Sequence, residues 1–432
     1  MSFFDNLSLI LLIMKMIKTQ LCRGLLLCGL LVPCLGRAQA PVKTSDALPV
    51  NTELPAVETQ PPVSAGQQPA FAGQTRIPGV KTGTPLQVSI IARNLRAPWG
   101  LAFLPDGRML VTEKPGTMRI VTQQGTVGST LLGVPAVRFQ GDGGLYDVKL
   151  DPDFARSRLI FWTFVEPVAG GSLTSVARAK LSADETRLDD VRVIYQATPA
   201  YKGPNHNGSR MLFDPQGNLF VSFGDRFDDS IRVQAQELNS SLGKIVRITK
   251  EGKAAPGNPF ANTPDARPEI WSLGHRNPQG LAIHPQTGDL WQSDIGPQAG
   301  DEINLIRPGA NYGWPLASYG IEYSGKPVNE GKTTMEGTEQ PVYYWDPTVA
   351  PSGMSFYTGK LIPEWTNNLF VPALRGMHIA RLVIKDNKIV GEERLLTDQQ
   401  RRMRQVVQGP DGALYAITDD REDGVILRIA PQ

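Results

Sequence analysis

The sequence predicts an all-β protein folded as a six-bladed β-propeller. Three observations support this: a recurring hairpin motif, the intervals between its copies, and the scarcity of amphipathic helical segments. Each copy is an apolar strand, a tight turn containing Pro and usually Gly, and a second apolar strand. Proline presets the first turn torsion and glycine accepts a positive φ, so each copy is typical of a hairpin. A two-sheet sandwich, the alternative fold, requires no such repeat.

The motif occurs six times, in four close copies and two looser ones. The turn prolines of the six copies are Pro105, Pro152, Pro215, Pro285, Pro363 and Pro410. The 347 residues from 86 to 432 give roughly 58 residues for each of six blades, more than the roughly 40–50 residues of a compact blade, which predicts long loops between the strands. Such loops are where function usually lies. The terminal strand from Gly424 to Ile429 is expected to close the ring by pairing into the first blade.

The first 40 residues have the pattern of a secretory signal. Basic residues precede an apolar run from Leu21 to Leu35, and Ala-Gln-Ala follows it, which predicts cleavage after Ala40 and a periplasmic protein. A retained membrane anchor is the alternative, although the run is short for a span. A lipoprotein attached at Cys34 is a further alternative, which Pro33 disfavours.

Residues 41–85 are rich in Pro, Thr, Gln, Ala and Ser, and are expected to form a flexible linker before a propeller over residues 86–432. All 3 cysteines precede residue 40; beyond it the chain has 40 basic and 41 acidic side chains. This balance gives no case for nucleic-acid binding. The lack of cysteine excludes a disulfide scaffold or a Cys-rich metal site. After cleavage we expect no stable membrane span, and a monomer or dimer.

His206 and Asp225 are candidate groups for proton transfer. His206 lies in a polar loop just before the third hairpin, where it is a candidate general base. Asp225 follows the second strand of that hairpin, which returns to the end where the first began. The carboxylate is therefore expected close to the imidazole, where it would orient the ring. A surface-loop histidine and a turn-capping aspartate are the alternatives.

Cationic and oxygen-rich segments suggest an anion site and a calcium site. Arg276 and Asn277 lie in a Pro- and Gly-rich segment, and Arg402 and Arg404 share one side of an extended segment. Guanidinium groups bind planar carboxylates or phosphates; a blade-edge ion pair and a solvated basic run are the alternatives. The carboxylates and loop carbonyls around residues 293–314 are the ligand type that Ca²⁺ takes, without an EF-hand pattern.

The chain contains several distinctive motifs, which are GHRNPQG at 274–280, DEIN at 301–304, NYGWP at 311–315, and the segments 97–103, 141–145, 205–208 and 350–353. Together they resemble the glucose/sorbosone dehydrogenase family, in particular its periplasmic aldose sugar dehydrogenase branch. The resemblance spans residues 87–432. It implies a propeller that binds pyrroloquinoline quinone (PQQ) and calcium and oxidises aldose sugars at C1 to lactones by hydride transfer to PQQ. The chain contains no C-x-x-C-H haem motif, so a separate electron acceptor, a quinone or a cytochrome, is implied.

The resemblance also assigns roles to individual residues. His206 corresponds to the catalytic base and Asp225 to its acidic partner. The residues implied at the cofactor are Asp142, Arg276, Asn277, Trp345, Arg375, Arg402 and Arg404. Relatives usually carry Gln at the position of Asp142, near the reactive end of the site. The carbonyls of Gly296 and Pro297 correspond to ligands of a cofactor calcium, and Glu302 and Tyr312 to a separate calcium site.

Two other functions fit a propeller. A calcium-dependent hydrolase such as a lactonase needs Asp, Asn and Glu ligands converging in the central channel, where this sequence places arginines. A non-catalytic propeller that binds glycan or protein would have lost PQQ. Loss of His206 or of the arginines would favour it, and all of them are present.

Overall fold

The computed structural model describes residues 54–432. The predicted signal and the first part of the predicted linker lie outside the described residues. The described chain consists almost entirely of strands, arranged in six sheets as the blades of a β-propeller. The predicted fold class is confirmed.

Twenty-six strands are described. The first thirteen are β1 (Leu54–Ala56), β2 (Pro78–Gly79), β3 (Leu86–Leu95), β4 (Pro98–Phe103), β5 (Met109–Glu113), β6 (Thr117–Val121), β7 (Val127–Thr130), β8 (Leu145–Leu150), β9 (Leu159–Val168), β10 (Gly171–Leu181), β11 (Leu188–Tyr201), β12 (Met211–Phe213) and β13 (Leu219–Phe223). The others are β14 (Lys244–Ile248), β15 (Ile270–Leu273), β16 (Pro278–Ile283), β17 (Leu290–Asp294), β18 (Asp301–Ile306), β19 (Tyr343–Trp345), β20 (Ser355–Phe356), β21 (Leu369–Ala373), β22 (His378–Lys385), β23 (Lys388–Leu395), β24 (Met403–Gln408), β25 (Leu414–Thr418) and β26 (Gly424–Pro431).

Helical structure is limited to short pieces. One α-helical turn, α1, spans Phe154–Ser157, and the 3₁₀ segments are Arg232–Gln236, Val328–Gly331, Pro363–Trp365 and Thr397–Gln399. No helix within residues 54–432 has the length and apolarity that a membrane span needs.

Each blade begins with one of the predicted hairpins. Blades 1 to 5 start with β4, β8, β12, β16 and β20, and blade 6 starts with β24. In every blade the turn proline joins the first strand to the second, so all six predicted hairpins are confirmed. First strands of neighbouring blades contact one another. They therefore line the centre of the ring, and all of them begin at the same end of it.

The hydrophobic core is divided among the six blade interfaces. Each pair of neighbouring blades encloses one apolar cluster, and Trp162 and Trp291 are fully buried members of two of them. The second strands β5, β13, β17, β21 and β25 are buried at every residue. Neighbouring blades cover both of their faces, so these strands show no alternation of buried and exposed residues, and polar residues near their ends, such as Gln292 and Ser293 of β17, are buried too.

The ring closes within blade 6. β26 forms a hairpin with β25, and its other edge pairs antiparallel with β3 from Leu86↔Pro431 to Leu95↔Gly424. β3, which precedes the first blade in the chain, is thus the outermost strand of the last blade. The expectation that the C-terminal strand enters the first blade was wrong, because the short β25–β26 turn keeps β26 in its own blade.

Residues 54–85, here named the strap, differ from the flexible linker expected there. β1 and β2 pair with each other, and Gly79 of β2 pairs with Glu392 of β23, which adds two strands to the edge of blade 5. Ile77 is buried in the cluster between blades 4 and 5. Polar and Pro-rich composition suggested flexibility, but the segment is held mostly by hydrogen bonds, which leave no apolar periodicity in a sequence.

Candidate functional site

A large cavity lies at the end of the ring where the first strands of the blades begin. Its volume is about 1020 Å³. Residues at or just before the first strands of all six blades line it: Trp99, Asp142, Tyr146, His206, Asn277, Gln279, Ala350, Arg402 and Arg404. The propeller therefore brings five of the predicted site residues, distant in sequence, into one cavity: Asp142, His206, Asn277, Arg402 and Arg404.

A buried chain of hydrogen bonds orients His206. Its Nδ1 atom lies 2.7 Å from Oδ1 of Asp225, and Asp225 Oδ2 accepts a hydrogen bond of 2.7 Å from the indole N–H of Trp314. The predicted proximity of His206 and Asp225 is confirmed. An ionised carboxylate only accepts hydrogen bonds, so His206 carries its proton on Nδ1 and leaves the lone pair on Nε2.

The backbone around His206 is tightly constrained. His206 has a φ of +47°, a conformation that is uncommon for a residue with a side chain and concentrates at functional sites. Its carbonyl lies against Gly224, where an added Cβ would be 2.3 Å from that oxygen. Glycine at position 224 therefore allows the His206 loop to approach the segment that follows β13 and carries Asp225.

Burial and charge determine the protonation of this pair. Burial of the ring lowers the pKa of His206, Arg276 adds to this effect, and Asp225 opposes it. Burial alone would raise the pKa of Asp225, but His206 and Arg276 outweigh burial and hold it below its ordinary value. At neutral pH the pair is thus a neutral imidazole oriented by a carboxylate, which is the form that a general base requires.

Two arginines and one carboxylate form a charged wall of the cavity. Asp419 accepts a hydrogen bond from Nη2 of Arg402 at 2.9 Å and from Nη2 of Arg404 at 2.8 Å. Burial would raise the pKa of Asp419, but Arg404, Arg402 and Lys114 outweigh it and hold it far below its ordinary value. The arginines share one negative charge, so this wall keeps an excess of positive charge.

Lys114 and Asp419 were not predicted, although the sequence holds a signal for both. Each directly follows the second strand of a repeated hairpin. Asp225 was predicted from the same position in its own hairpin. The same hairpin geometry returns Lys114 after β5, Ile295 after β17 and Asp419 after β25 to the cavity end. Burial, with a smaller effect of Arg404, lowers the pKa of Lys114 to about 8.

Asn277 and Asp142 contact the His206 loop. Asn277 Oδ1 accepts the backbone N–H of Gly208 at 3.1 Å, which leaves its amide N–H groups for a ligand. Asp142 Oδ2 accepts the backbone N–H of His206 at 3.3 Å. This exposed carboxylate therefore stands directly beside the candidate base.

Arg276 lies behind the cavity rather than on its lining. Its guanidinium donates to the carbonyls of Ile295 and Gly296, both at 2.8 Å, and packs 5.2 Å from the ring centre of Trp314. Its Nε–H is buried and has no partner within residues 54–432. Arg276 thus influences His206 through its charge.

Two further residues predicted at the cofactor, besides Arg276, do not line the cavity. Trp345 lies on β19 in the core between blades 4 and 5, and its indole N–H donates to Glu392 at 3.3 Å. The assignment of Trp345 as a wall of the site was wrong, because the pairing of β19 with β18 turns this ring into the blade interface. Arg375 follows the cavity residue Leu374, but its own side chain is exposed to solvent.

Three of the four predicted calcium ligands lie around one small space. Gly296, Glu302 and Tyr312 line a space of about 10 Å³, with room for about one ion or water, and Arg276 lines it too. The Gly296 carbonyl accepts a hydrogen bond from the guanidinium of Arg276, so that group holds positive charge where a cofactor calcium was expected. Pro297 is packed against Gly320.

Glu302 and Tyr312 differ in which atom is available to a cation. Burial, followed by the charge of Asp294, raises the pKa of Glu302 to about 8. The Tyr312 hydroxyl donates to the Leu305 carbonyl at 2.6 Å, so its main-chain carbonyl is the candidate ligand atom. No group of three His, Cys, Asp or Glu side chains in the described range forms a metal site.

Comparisons with known proteins agree with this architecture. The model of the family described as Glucose / Sorbosone dehydrogenase matches residues 95–428. An aldose sugar dehydrogenase of Escherichia coli (strain K12) is 41% identical over 350 residues, 80% of this chain and 93% of that protein. A crystal structure of a glucose dehydrogenase is 44% identical with a TM-score of 0.77, over 80% of this chain and 100% of that one. The PQQ-bound aldose sugar dehydrogenase of Streptomyces coelicolor is 28% identical with a TM-score of 0.66, over 81% and 100% of the two chains. The chain therefore belongs to the glucose/sorbosone dehydrogenase family.

Proposed function

We propose that this protein is a PQQ-dependent dehydrogenase that oxidises aldose sugars at C1 to lactones, with His206 as the general base. The observation that carries the proposal is the neutral His206, oriented by Asp225, in one cavity with the arginine wall. The names of the relatives, which include an aldose sugar dehydrogenase and a PQQ-bound enzyme, support the same activity.

The charges of the cavity fit the proposed cofactor. PQQ carries three carboxylates, and Lys114, Arg402 and Arg404 line the cavity, where Asp419 is the carboxylate that accepts hydrogen bonds from both arginines. The lining also contains Asp142, Asp420, Arg421 and Glu422. The Nε–H of Arg404 is buried without a partner in the described chain and is available to an anion. These three cations and the Asn277 amide are the groups that would hold PQQ. When bound, PQQ supplies an ortho-quinone that takes up the two electrons removed from the sugar.

The residues of the chain supply the proton transfer. His206 Nε2 carries the lone pair and accepts the proton of the anomeric hydroxyl. Asp225 keeps the proton on Nδ1 and stabilises the imidazolium that results, while Trp314 fixes the carboxylate. Asp142 Oδ2 accepts the backbone N–H of His206, which holds the carboxylate beside the base. Its other oxygen can then accept a hydrogen bond from a neighbouring sugar hydroxyl.

Calcium is proposed at the space beside Glu302. A carboxylate whose pKa is raised by burial and by a neighbouring acid is a group that a cation would compensate. Glu302, the Tyr312 carbonyl and water would supply the oxygen ligands that Ca²⁺ prefers.

The setting of the reaction is also a proposal. The signal pattern in the first forty residues supports an enzyme that acts in the periplasm. The chain has no haem motif, so the electrons pass to a separate quinone or cytochrome.

A single variant tests the proposed base. The chain, supplied with PQQ and Ca²⁺, is assayed for dye reduction with a panel of aldoses. His206→Ala should lower kcat by about 10²–10⁴-fold while leaving the PQQ absorbance change on binding intact. His284→Ala is the matched control, because His284 follows β16 and lies at the opposite end of the ring. Turnover that survives in His206→Ala would show that the base is another group, and a wild-type chain inactive with every sugar would refute the activity.

A further inference from the structure

Another cavity lies in the centre of the ring, at the end opposite the candidate site. The later parts of the first strands of blades 2 to 6 form it, and its volume is about 290 Å³. We name it the far chamber; its lining includes Lys149, Arg210, Leu212, Ile283, Phe356 and Val406. None of these six residues lines the large cavity that contains His206. The far chamber is therefore a separate space, which the proposed oxidation does not use.

Buried polar groups separate the far chamber from the candidate site. Gln279 lines the large cavity, and its main-chain carbonyl accepts the Nε–H of Arg210 at 2.9 Å. Its side-chain Oε1 accepts a hydrogen bond of 2.9 Å from Nη1 of Arg404. The ring of Trp99 packs against the guanidinium of Arg210, with the ring centre 4.1 Å from the guanidinium carbon. These contacts fix Arg210 from the side of the large cavity, while Arg210 lines the far chamber on its other side.

The charges beside the far chamber do not balance. Asp147 is fully buried, and its Oδ1 accepts a hydrogen bond of 3.1 Å from Nη1 of Arg210. Nζ of Lys149 lies 3.4 Å from the other oxygen, Oδ2. The two cations thus share one carboxylate, and no Asp or Glu within residues 54–432 lines the chamber itself. A positive charge held away from water is costly unless an anion compensates it.

Arg210 also has a donor group without a partner. The residue is 2% exposed, and its Nη2 group is buried without an acceptor in the described part of the chain. Glycine at position 353 leaves the space beside this group open, since an added Cβ there would be 3.0 Å from Nη2. Burial lowers the pKa of both Arg210 and Lys149, and Asp147 opposes that effect. A second negative charge beside the two side chains would add to the compensation.

The walls of the chamber restrict the kind of anion. Besides the two cations, they consist largely of apolar side chains such as Leu212, Ile283 and Phe356. Phosphate and sulfate hold their hydration water strongly, and two cationic donors among apolar walls cannot replace it. Halides and nitrate lose their water more easily. We propose that the far chamber binds a weakly hydrated monovalent anion, such as chloride, beside Nη2 of Arg210 and Nζ of Lys149.

Bromide locates such a site directly. Crystals of the wild-type chain are soaked in sodium bromide, and the anomalous scattering of bromine gives the position of each bound ion. We expect a bromide in contact with both Arg210 and Lys149. Bromide bound only in the large cavity, at Lys114, Arg402 and Arg404, would overturn the inference, and so would a far chamber that contains only water.

Paired variants measure the contribution of the positive charge. Lys149→Met removes the excess charge and leaves Asp147 paired with Arg210. Lys180→Met is the matched control, because Lys180 is exposed on β10 of the same blade and does not line the chamber. The unfolding temperature is measured over a series of bromide concentrations, which gives an apparent affinity for the folded chain. Lys149→Met should weaken that affinity about tenfold or more, and Lys180→Met should leave it unchanged.

The comparison of the two variants isolates the far chamber. The cations of the large cavity are intact in both, so bromide bound there affects both alike. An equal response of Lys149→Met and Lys180→Met would overturn the inference. The wild-type crystal decides alone if Lys149→Met does not fold. Both measurements use binding rather than turnover, so their outcome does not depend on the proposed oxidation.

A series of anions tests the chemical class. The difference between wild type and Lys149→Met should appear at lower concentrations of nitrate, bromide and chloride than of phosphate. A larger difference with phosphate would show that the chamber takes a multiply charged oxyanion and would refute the proposed class.

Discussion

Asp225 accepts hydrogen bonds on both carboxylate oxygens, from His206 on one and from Trp314 on the other. A fixed carboxylate of this kind holds the imidazole in one tautomer. In Asp225→Asn the amide can donate to Nδ1 and reverse the tautomer. We expect kcat to fall about 10- to 100-fold.

The same variant has a signature in the pH profile. The negative charge of Asp225 raises the pKa of His206 against the effect of burial. Its removal lowers that pKa further, so the acid limb of kcat/KM should move to lower pH while the plateau falls. A plateau that falls with an unmoved acid limb would show that Asp225 acts only on structure. Circular dichroism of the variant controls for folding.

Lys114 should make cofactor binding sensitive to pH. Its pKa is lowered to about 8, so the empty cavity loses this positive charge as the pH rises through that value. PQQ, an anion throughout this range, is therefore expected to bind more weakly at pH 9 than at pH 7. Fluorescence titration measures the affinity, and Lys114→Met should bind more weakly at pH 7 and with a flatter pH profile. An equally steep profile in Lys114→Met would contradict the assignment.

Calcium should stabilise the chain through Glu302. A ligand that binds only the folded state adds about 2.7 kcal/mol to the free energy of unfolding at 100 times its Kd. Calorimetry should show a higher unfolding temperature with Ca²⁺ than with EDTA, and Glu302→Gln should remove the difference. Glu339→Gln is the control, because Glu339 is exposed and does not line the space beside Glu302. An unchanged response in Glu302→Gln would place the ion elsewhere.

Gln74 of the strap contacts the connection between β18 and β19 on both sides of the cavity residue Tyr323. Its Oε1 accepts the hydroxyl of Tyr319 at 3.1 Å, and its Nε2 donates to the Pro341 carbonyl at 2.9 Å. Gln74→Ala removes the donor to the buried Pro341 carbonyl, whereas the Tyr319 hydroxyl keeps its bond of 2.6 Å to Gln340, and we expect a cost of about 1–3 kcal/mol in unfolding free energy.

The effect of Gln74→Ala on catalysis should be selective. The contacts of Gln74, at Tyr319 and Pro341, flank Tyr323 and follow Trp314 in the chain. We therefore expect the KM for sugar to rise while kcat changes little. Gln67→Ala is the matched control, because Gln67 makes only long contacts of 3.4 and 3.5 Å from the same strap. A kcat that falls together with the KM would show that the strap supports the whole cavity.

The fold could be predicted because its signal is local. A turn with Pro and Gly between two apolar runs needs no distant contact to form, and six copies set the number of blades. Positions within the repeated hairpin can be predicted in the same way. This is why Asp225 was correctly placed near His206, and why Lys114 and Asp419 could also have been predicted at the cavity.

Features that depend on packing between distant segments could not be predicted from the sequence. Trp345 looked like a cavity wall, but strand pairing with β18 decides which way its ring points. The ordered strap was missed since hydrogen bonds such as that from Val63 N–H to Asp346, 2.7 Å long, follow no sequence period.

The closure of the ring determines the order of events during biosynthesis. β3 is made first among the strands of the propeller, but its partner β26 is complete only more than 300 residues later. Until then the edge of β3 stays open, so the last blade can assemble only after β26 has been synthesised. Contacts of such long sequence separation slow folding and expose strand edges to aggregation. A chain shortened by its last strand should therefore fail to mature, even though every cavity residue named above would still be present.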